Sequence, residues 1–213
     1  MTRCYLVRHA QTSWNGENRI QGHSDLPLSV LGEQQARQLG ALFASCHLKG
    51  IFTSALQRSQ QTAVAIAVGN GHGVTPVIEH ELAEMHLGAW EGLTPAEIDE
   101  QFAGAYQQWR ARPSSVTIPN AELLSVFRTR VRRSLEKILS RIEEGDYVVV
   151  THGGVIAAML ADVLGADYDA LLRRLRLDNA GVTALELTTS MPHVLWINWT
   201  AHLKPLTPAQ LGG

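Results

Sequence analysis

An arginine and a histidine stand side by side where the first apolar run of the chain ends. Residues 5–7 are Tyr-Leu-Val, and Arg8 and His9 follow directly. Arginine binds oxyanions through paired N–H groups, and a neutral imidazole is a nucleophile near pH 7. A polar loop after a strand would also explain the pair. The alternative is that an anion binds there and His9 reacts with it.

Two further polar groups follow apolar, strand-like segments. Arg58 stands in the first turn of a predicted helix, and His152 comes between a Val-Val-Val run and Gly153. In an open α/β sheet, ligands bind outside the carboxyl ends of the strands. We therefore expect Arg8, His9, Arg58 and His152 to meet at one edge. Two arginines and two histidines beside helix N-termini form a site for a dianion such as a phosphate ester.

Alternating strands and helices would position these groups. Apolar runs predict strands at residues 3–7, 50–54, 74–78, 146–151, 181–189 and 193–199. Helical spacing predicts helices within 25–43, 56–68, 94–113, 121–144 and 155–165. The fold class is α/β: a mostly parallel open sheet with helices on both faces. We expect a single domain, 1–213, with a small helical cap inserted at 86–144.

Composition limits the classes of function. The chain has 213 residues, 45% of them hydrophobic, and a formal net charge of −2. This balance favours neither a nucleic acid nor an anionic membrane as partner. The most membrane-like segment, GVIAAMLADVLGA, is too short to span a bilayer. We expect a cytoplasmic protein, and we leave a homodimer open.

Four motifs occur in order along nearly the whole chain, from about residue 4 to 202. They are LVRHAQTSWN, TSALQRSQQTA, ELAEMHLGAWEG and VVVTHGG, and RIQGHSDLPLSVLGEQQA follows the first. Together they resemble the histidine phosphatase superfamily, also called the phosphoglycerate mutase-like family. The resemblance implies a phosphoglycerate mutase-like fold and a phosphomonoesterase that needs neither metal nor cofactor. Its substrate would be a small phosphorylated metabolite.

The resemblance also implies a role for each matching residue. His9 would attack phosphorus to give a phosphohistidine, and Glu84 would protonate the leaving oxygen and then activate water. His152 would stabilise the transferring phosphoryl group with the arginines. The expected catalytic residues are His9, Glu84 and His152, and the expected substrate-binding residues are Arg8, Asn15, Gln21, Gly22, Arg58 and Gly153.

The chain departs from the family pattern at two places. Ala10 replaces the usual glycine of the nucleophile motif. The segment PNAELL stands where Pro-Gly-Gly-Glu-Ser is usual, so that Glu122 keeps the acidic position and Leu123 replaces the serine. The second change falls in the predicted cap and leaves the substrate open among phosphoserine, ribazole phosphate, phosphoglycerate and sugar phosphates.

Other interpretations of single motifs are weaker. HELAEMH lacks the second histidine that a zinc motif of the H-E-x-x-H type requires. His86 would either touch substrate or lie exposed. The arginines on the long helix predict a solvated face; they are Arg128, Arg130, Arg132 and Arg133. Residues 198–203, NWTAHL, either close over the pocket or form a loose end, and the segment 200–213 has no assigned role.

Two other functions compete with a phosphatase. A phosphoglycerate mutase uses the same groups but retains the phosphoryl group, and it must keep water out of its site. Mutases of the family that this chain resembles carry longer insertions between the acidic residue and the second histidine, whereas the interval from Glu84 to His152 is 68 positions. The resemblance therefore implies a small cap, which favours hydrolysis. A regulatory module with an inactive site is the other alternative. The intact set of Arg8, His9, Arg58, Glu84 and His152 argues against it.

Overall fold

A six-stranded sheet forms the centre of the protein in the computed structural model, which describes residues 2–188 and 192–203. The strands are β1 (Thr2–Arg8), β2 (Leu48–Thr53), β3 (Pro76–Ile78), β4 (Asp146–Thr151), β5 (Val182–Leu187) and β6 (His193–Trp199). Their order across the sheet is β3-β2-β4-β1-β5-β6. The pairs β3-β2, β2-β4 and β4-β1 are parallel, and β1-β5 and β5-β6 are antiparallel. The prediction of a mostly parallel open sheet is confirmed.

Within residues 2–188 and 192–203, eight α-helices connect and cover the strands. They are α1 (Ser13–Gly16), α2 (Val30–Leu42), α3 (Gln57–Asn70), α4 (Pro95–Gln101), α5 (Ala105–Ala111), α6 (Leu124–Leu139), α7 (Gly153–Leu164) and α8 (Tyr168–Arg174). The Ser29 hydroxyl accepts a hydrogen bond from the Gly32 amide and caps α2. Thr94 and Glu97 form a capping box at the start of α4. Serine and threonine are among the residues preferred at N-caps, so both caps follow from the local sequence.

Each face of the sheet carries its own apolar core. Leu6 and Val149 point to one face, where they pack with side chains of α6 and α7. Their chain neighbours Val7 and Val150 point to the other face, where they pack with α2 and α3. This alternation follows from the two-residue period of a strand. Helices therefore cover both faces, as the alternation of elements predicts.

Several boundaries differ from the sequence prediction. β2 spans Leu48–Thr53 rather than 50–54, α3 continues to Asn70, and α6 spans Leu124–Leu139 rather than 121–144. α8 was not predicted, because seven residues carry too little periodic signal. Between Ile78 and Asp146 the described chain contains no strand, as expected. Among the described residues, no helix is both long enough and apolar enough to cross a lipid bilayer.

The last strand supports the loop that precedes β5. The Asn198 side chain accepts a hydrogen bond from the Asp178 amide at 2.8 Å and donates one to the Asp178 carboxylate at 2.8 Å. Leu203 packs against the core between the sheet and α2. Residues 198–203 thus neither close over the cleft nor form a loose end. Of the segment 200–213, residues 204–213 lie outside the described residues.

Candidate active site

One cleft of about 660 Å³ opens at the carboxyl ends of β1, β2 and β4. These three strands are parallel neighbours in the sheet, so the loops that follow them converge. Eight of the nine expected site residues line the cleft: Arg8, His9, Asn15, Gln21, Gly22, Arg58, Glu84 and Gly153. The ninth, His152, is buried against His9, with 5.1 Å between the ring centroids.

The His9 ring is held in one tautomer by its own loop. Its side chain is buried, and Nδ1 lies 2.8 Å from the Ala10 carbonyl oxygen. A carbonyl can only accept, so Nδ1 carries the proton and Nε2 keeps its lone pair. Burial, followed by the charges of Arg58 and Arg8, lowers the pKa of His9 well below 6.5. His9 is therefore a neutral imidazole with an unprotonated Nε2.

Hydrogen bonds fix the backbone of the nucleophile loop and orient Asn15. The His9 amide donates to the Thr151 carbonyl at 2.8 Å, and Asn179 Nδ2 donates to the His9 carbonyl at 3.0 Å. Asn15 Oδ1 accepts from Thr12 N, Thr12 Oγ1 and Asn179 Nδ2, at 3.0 to 3.2 Å. Because Oδ1 is engaged, the side-chain nitrogen Nδ2 of Asn15 is the group left to bind a ligand in the cleft.

Arg58 and Arg8 are anchored by main-chain carbonyls. Arg58 donates from Nη1 to Ser24 O and from Nη2 to Gly22 O, both at 2.8 Å. Arg8 donates from Nη1 to Leu177 O. Within the described chain, both Nε atoms are buried without a protein partner. Burial lowers the pKa of both groups, that of Arg58 to about 10, so each remains a cation at neutral pH.

His152 is held beneath the cleft by two serines. Its Nε2 lies 2.9 Å from Ser54 Oγ and 3.4 Å from Ser59 Oγ, and its buried Nδ1 has no partner in the described chain. Burial, followed by the charge of Arg58, lowers its pKa well below 6.5. His152 is therefore neutral as well, and it can donate a hydrogen bond to an oxyanion without adding charge.

The Glu84 carboxylate accepts hydrogen bonds from two backbone amides. Oε2 accepts from Gly154 N at 3.0 Å, and Oε1 accepts from Met85 N at 2.9 Å. Gly154 is the second residue of α7, so the carboxylate lies at the positive end of that helix dipole. This contact holds a carboxyl group in the cleft that His9 also lines, where it can serve as a proton donor or acceptor.

Gln21 and Gly22 form part of the wall of the cleft. Gly22 has a φ of +50°, and a Cβ there would overlap the Glu91 carboxylate, so glycine is required for both reasons. Gln21 is buried with its Oε1 unpartnered among the described residues. The Gly22 carbonyl already holds Arg58, so this turn couples the cleft wall to the guanidinium group.

Sequence reasoning missed several lining residues and suggested one that does not line the cleft. Asn179 carries only the general preference of asparagine for turns, and its contacts to His9 and Asn15 become visible only in the fold. His86 packs its ring against His23 instead of facing the cleft. Other lining residues without a sequence signal are Asn18, Arg19, Tyr106, Trp109, Arg110, Leu172, Leu175, Arg176 and Asp178.

No group of three or more histidine, cysteine, aspartate or glutamate side chains in residues 2–188 and 192–203 is arranged to hold a metal ion. Two side chains of the segment HELAEMH, which has part of the zinc-motif pattern, have other partners. The carboxylate of Glu84 accepts from backbone amides, and His86 Nε2 lies 3.7 Å from Glu91 Oε1. Among the described residues, five arginines and two carboxylates line the cleft instead, and this excess of cations suits an anionic ligand.

The fold and this set of side chains agree with a comparison against protein families. The model of the family described as "Histidine phosphatase superfamily (branch 1)" matches residues 4–200. The chain belongs to this superfamily. The α/β fold with a mostly parallel sheet is that of its phosphoglycerate mutase-like members.

Individual relatives carry two kinds of name. Phosphoserine phosphatase 1 of Hydrogenobacter thermophilus is 31% identical over 95% of this chain and 95% of its own length. A protein of Serratia proteamaculans named "Probable phosphoglycerate mutase GpmB" is 35% identical over 87% of this chain and 85% of its own. A mycobacterial glucosyl-3-phosphoglycerate phosphatase, solved with VO3, has a TM-score of 0.84 and 28% identity over 93% of this chain and 99% of its own.

Proposed function

We propose that this protein is a phosphomonoesterase that hydrolyses a small phosphorylated metabolite through a phosphohistidine on His9. The observation that carries the proposal is the contact between His9 Nδ1 and the Ala10 carbonyl oxygen at 2.8 Å. The Nδ1–H of His9 donates to this carbonyl, and the pKa of His9 is held well below 6.5, so Nε2 has a free lone pair at neutral pH. A neutral, fixed imidazole between two guanidinium groups is a nucleophile beside a phosphate-binding site.

In the first step, His9 Nε2 attacks phosphorus and the bond from phosphorus to the ester oxygen breaks. Arg8 and Arg58 bind the equatorial oxygens, and their unpaired Nε–H groups are donors suited to this contact. The Asn15 amide and the backbone near Gly22 and Gly153 add neutral donors. These groups stabilise the charge of the transition state with side-chain and backbone donors of the protein, so the reaction needs no metal or cofactor.

Glu84 moves the proton in both steps. Its carboxyl group gives a proton to the departing oxygen, and the resulting carboxylate takes a proton from water in the second step. That water attacks phosphorus, the bond to His9 breaks, and phosphate leaves with the imidazole restored. The anchoring of Glu84 to the Gly154 amide keeps the carboxyl group at one place through both steps.

The sequence predicts a cap at 86–144 within one domain spanning 1–213. Because α6 packs into the apolar core on one face of the sheet, we propose that residues 86–123 form the cap. A small apolar cluster of their own supports this division; its buried members are Trp90, Ile98 and Ile118. The rings of Tyr106 and Trp109 stack at 5.7 Å and bring the cap to the mouth of the cleft. A cap of this size leaves the cleft accessible to water, which favours hydrolysis over the retention of phosphate that a mutase requires.

The relatives support a metabolite substrate without selecting one. Their names include phosphoserine and glucosyl-3-phosphoglycerate phosphatases, and one is named as a mutase. We therefore infer a small phosphorylated metabolite as the binding partner, and no nucleic acid or membrane. A cytoplasmic location stays a prediction from the sequence, and a homodimer stays open.

Two incubations test the proposal. An aryl phosphate should release inorganic phosphate without added bisphosphoglycerate. 3-Phosphoglycerate, incubated separately, should yield phosphate rather than 2-phosphoglycerate. Isomerisation that depends on the bisphosphate and releases little phosphate would favour a mutase. The absence of any turnover across a panel of phosphorylated metabolites would favour a binding module.

A further inference from the structure

Arg130 is not part of the solvated arginine face that the sequence predicts for α6. Its side chain is only 15% exposed, whereas that of Arg132 is 58% exposed. The Arg130 guanidinium lies 5.0 Å from the centroid of the Phe127 ring. A buried guanidinium is costly unless its donors are satisfied. Its partners therefore indicate what it does.

All five N–H donors of Arg130 make hydrogen bonds to two groups of acceptors. Nη1 donates to Glu81 O at 2.8 Å and to Ala83 O at 2.6 Å, and Nη2 donates to Glu84 O at 2.8 Å. Nε and Nη2 also bind the two carboxylate oxygens of Glu122, at 2.7 and 2.8 Å. One cation thus gathers three carbonyls of the segment that carries Glu84.

Arg130 and Glu122 together form a clamp on this segment. Glu122 binds the segment on the other side of Glu84. Its amide donates to the His86 carbonyl at 2.9 Å, and the His86 amide points back to its carboxylate at 3.4 Å. The segment from Glu81 to His86 is therefore bound at both ends by Arg130 and Glu122. Neither residue lines the cleft, so both act on the site through the backbone of this segment.

The Glu84 side chain depends on that backbone for its position. Its carboxylate has two hydrogen-bond partners in the described chain, the Met85 amide in the same segment and the Gly154 amide on α7. If the segment moved relative to α7, the carboxylate would lose its alignment with the cleft. A shift of about 1 Å in a catalytic group can cost on the order of 10² in rate.

We propose that Arg130, locked by Glu122, is the positioning residue that places Glu84 for proton transfer. The proposal rests on the proposed function and assigns a role to a residue outside the cleft. Lysine keeps the charge but has three donors on one atom, so it cannot reproduce five planar bonds. Arg130→Lys should therefore impair the steps that need Glu84 more than those that do not.

The experiment compares two leaving groups in the phosphorylation step. p-Nitrophenolate leaves without a proton, whereas the alkoxide of glycerol phosphate needs one. With Arg130→Lys, the single-turnover rate on glycerol phosphate should fall by about 10- to 100-fold. The single-turnover rate of p-nitrophenolate release should change by less than about 3-fold, since that step needs no acid. Arg132→Lys, the same exchange on the same helix, should leave both rates unchanged.

Equal changes with both leaving groups, or no change with either, would overturn the positioning role. If Arg130→Lys does not fold, Glu122→Gln tests the same clamp, because it keeps the shape of the side chain and removes its charge. The two proposals fail differently. A wild-type protein that releases no nitrophenolate from p-nitrophenyl phosphate contradicts the proposed function, whereas an active wild type with no leaving-group selectivity in the variants contradicts only the role of Arg130.

Discussion

Two imidazoles are buried near two arginines, and burial together with the arginine charges holds the pKa of both imidazoles well below 6.5. His9 and His152 are 3% and 1% exposed, and Arg58 is 1% exposed. The folded protein gains a nucleophile that is ready at neutral pH, since neither ring has to lose a proton first. The same burial has a cost for stability. On unfolding, each ring returns to a pKa of about 6.5 and can bind a proton.

The free energy of unfolding should therefore fall as the pH is lowered from about 6.5 toward the folded pKa values of the two histidines. In this window the unfolded chain binds more protons than the folded one. Each imidazole contributes up to roughly 1.4 kcal/mol per pH unit. Urea unfolding at pH 7, 6 and 5 measures this slope. His9→Gln should reduce it, and equal slopes in the variant and the wild type would contradict a depressed pKa at His9.

At the scale of the element, the start of α7 holds Glu84 in place. The Gly154 amide donates to the carboxylate, and there is no room for a side chain at this position. A Cβ on Gly154 would lie 2.5 Å from Glu84 Oε1. The glycine is thus required by the close approach of the carboxylate. Its backbone conformation does not require glycine, because its φ lies outside the left-handed region.

Gly154→Ala should lower activity without lowering stability by a similar degree. Alanine favours the helix by up to about 1 kcal/mol over glycine, while its Cβ displaces the Glu84 carboxyl group. We expect kcat for an alkyl phosphate to fall by on the order of 10². Thermal unfolding and steady-state kinetics measure the two effects. Gly16→Ala is the matched control, because a Cβ at Gly16 meets nothing within 4 Å. Full activity in Gly154→Ala would contradict the packing of Glu84 on α7.

At the scale of the whole molecule, the parallel order β2-β4-β1 brings distant residues together. This convergence is predictable from sequence, because each polar motif directly follows an apolar strand segment. The N-caps at Ser29 and Thr94 are predictable for a similar reason, since the capping residue lies within three positions of the amide it binds.

Features that depend on contacts between distant segments were not predictable. Arg130 belongs to an amphipathic helix whose arginines look alike in sequence, and only the tertiary fold shows that it reaches the carbonyls around Glu84. Asn179 binds the carbonyl of His9, 170 positions away. No local pattern encodes such pairs, because spacing within a helix or strand reports only on near neighbours.

The central claim is the covalent intermediate on His9, and a rapid-quench experiment on Glu84→Gln tests it most directly. p-Nitrophenyl phosphate does not need the acid, so the variant should still transfer the phosphoryl group, whereas hydrolysis of the intermediate lacks its base. The account predicts a burst of nitrophenolate close to one per active site. It also predicts an acid-labile, base-stable phosphate on the peptide that contains His9, and none in His9→Ala. A phosphate on another residue, or turnover of His9→Ala at the wild-type rate, would contradict it.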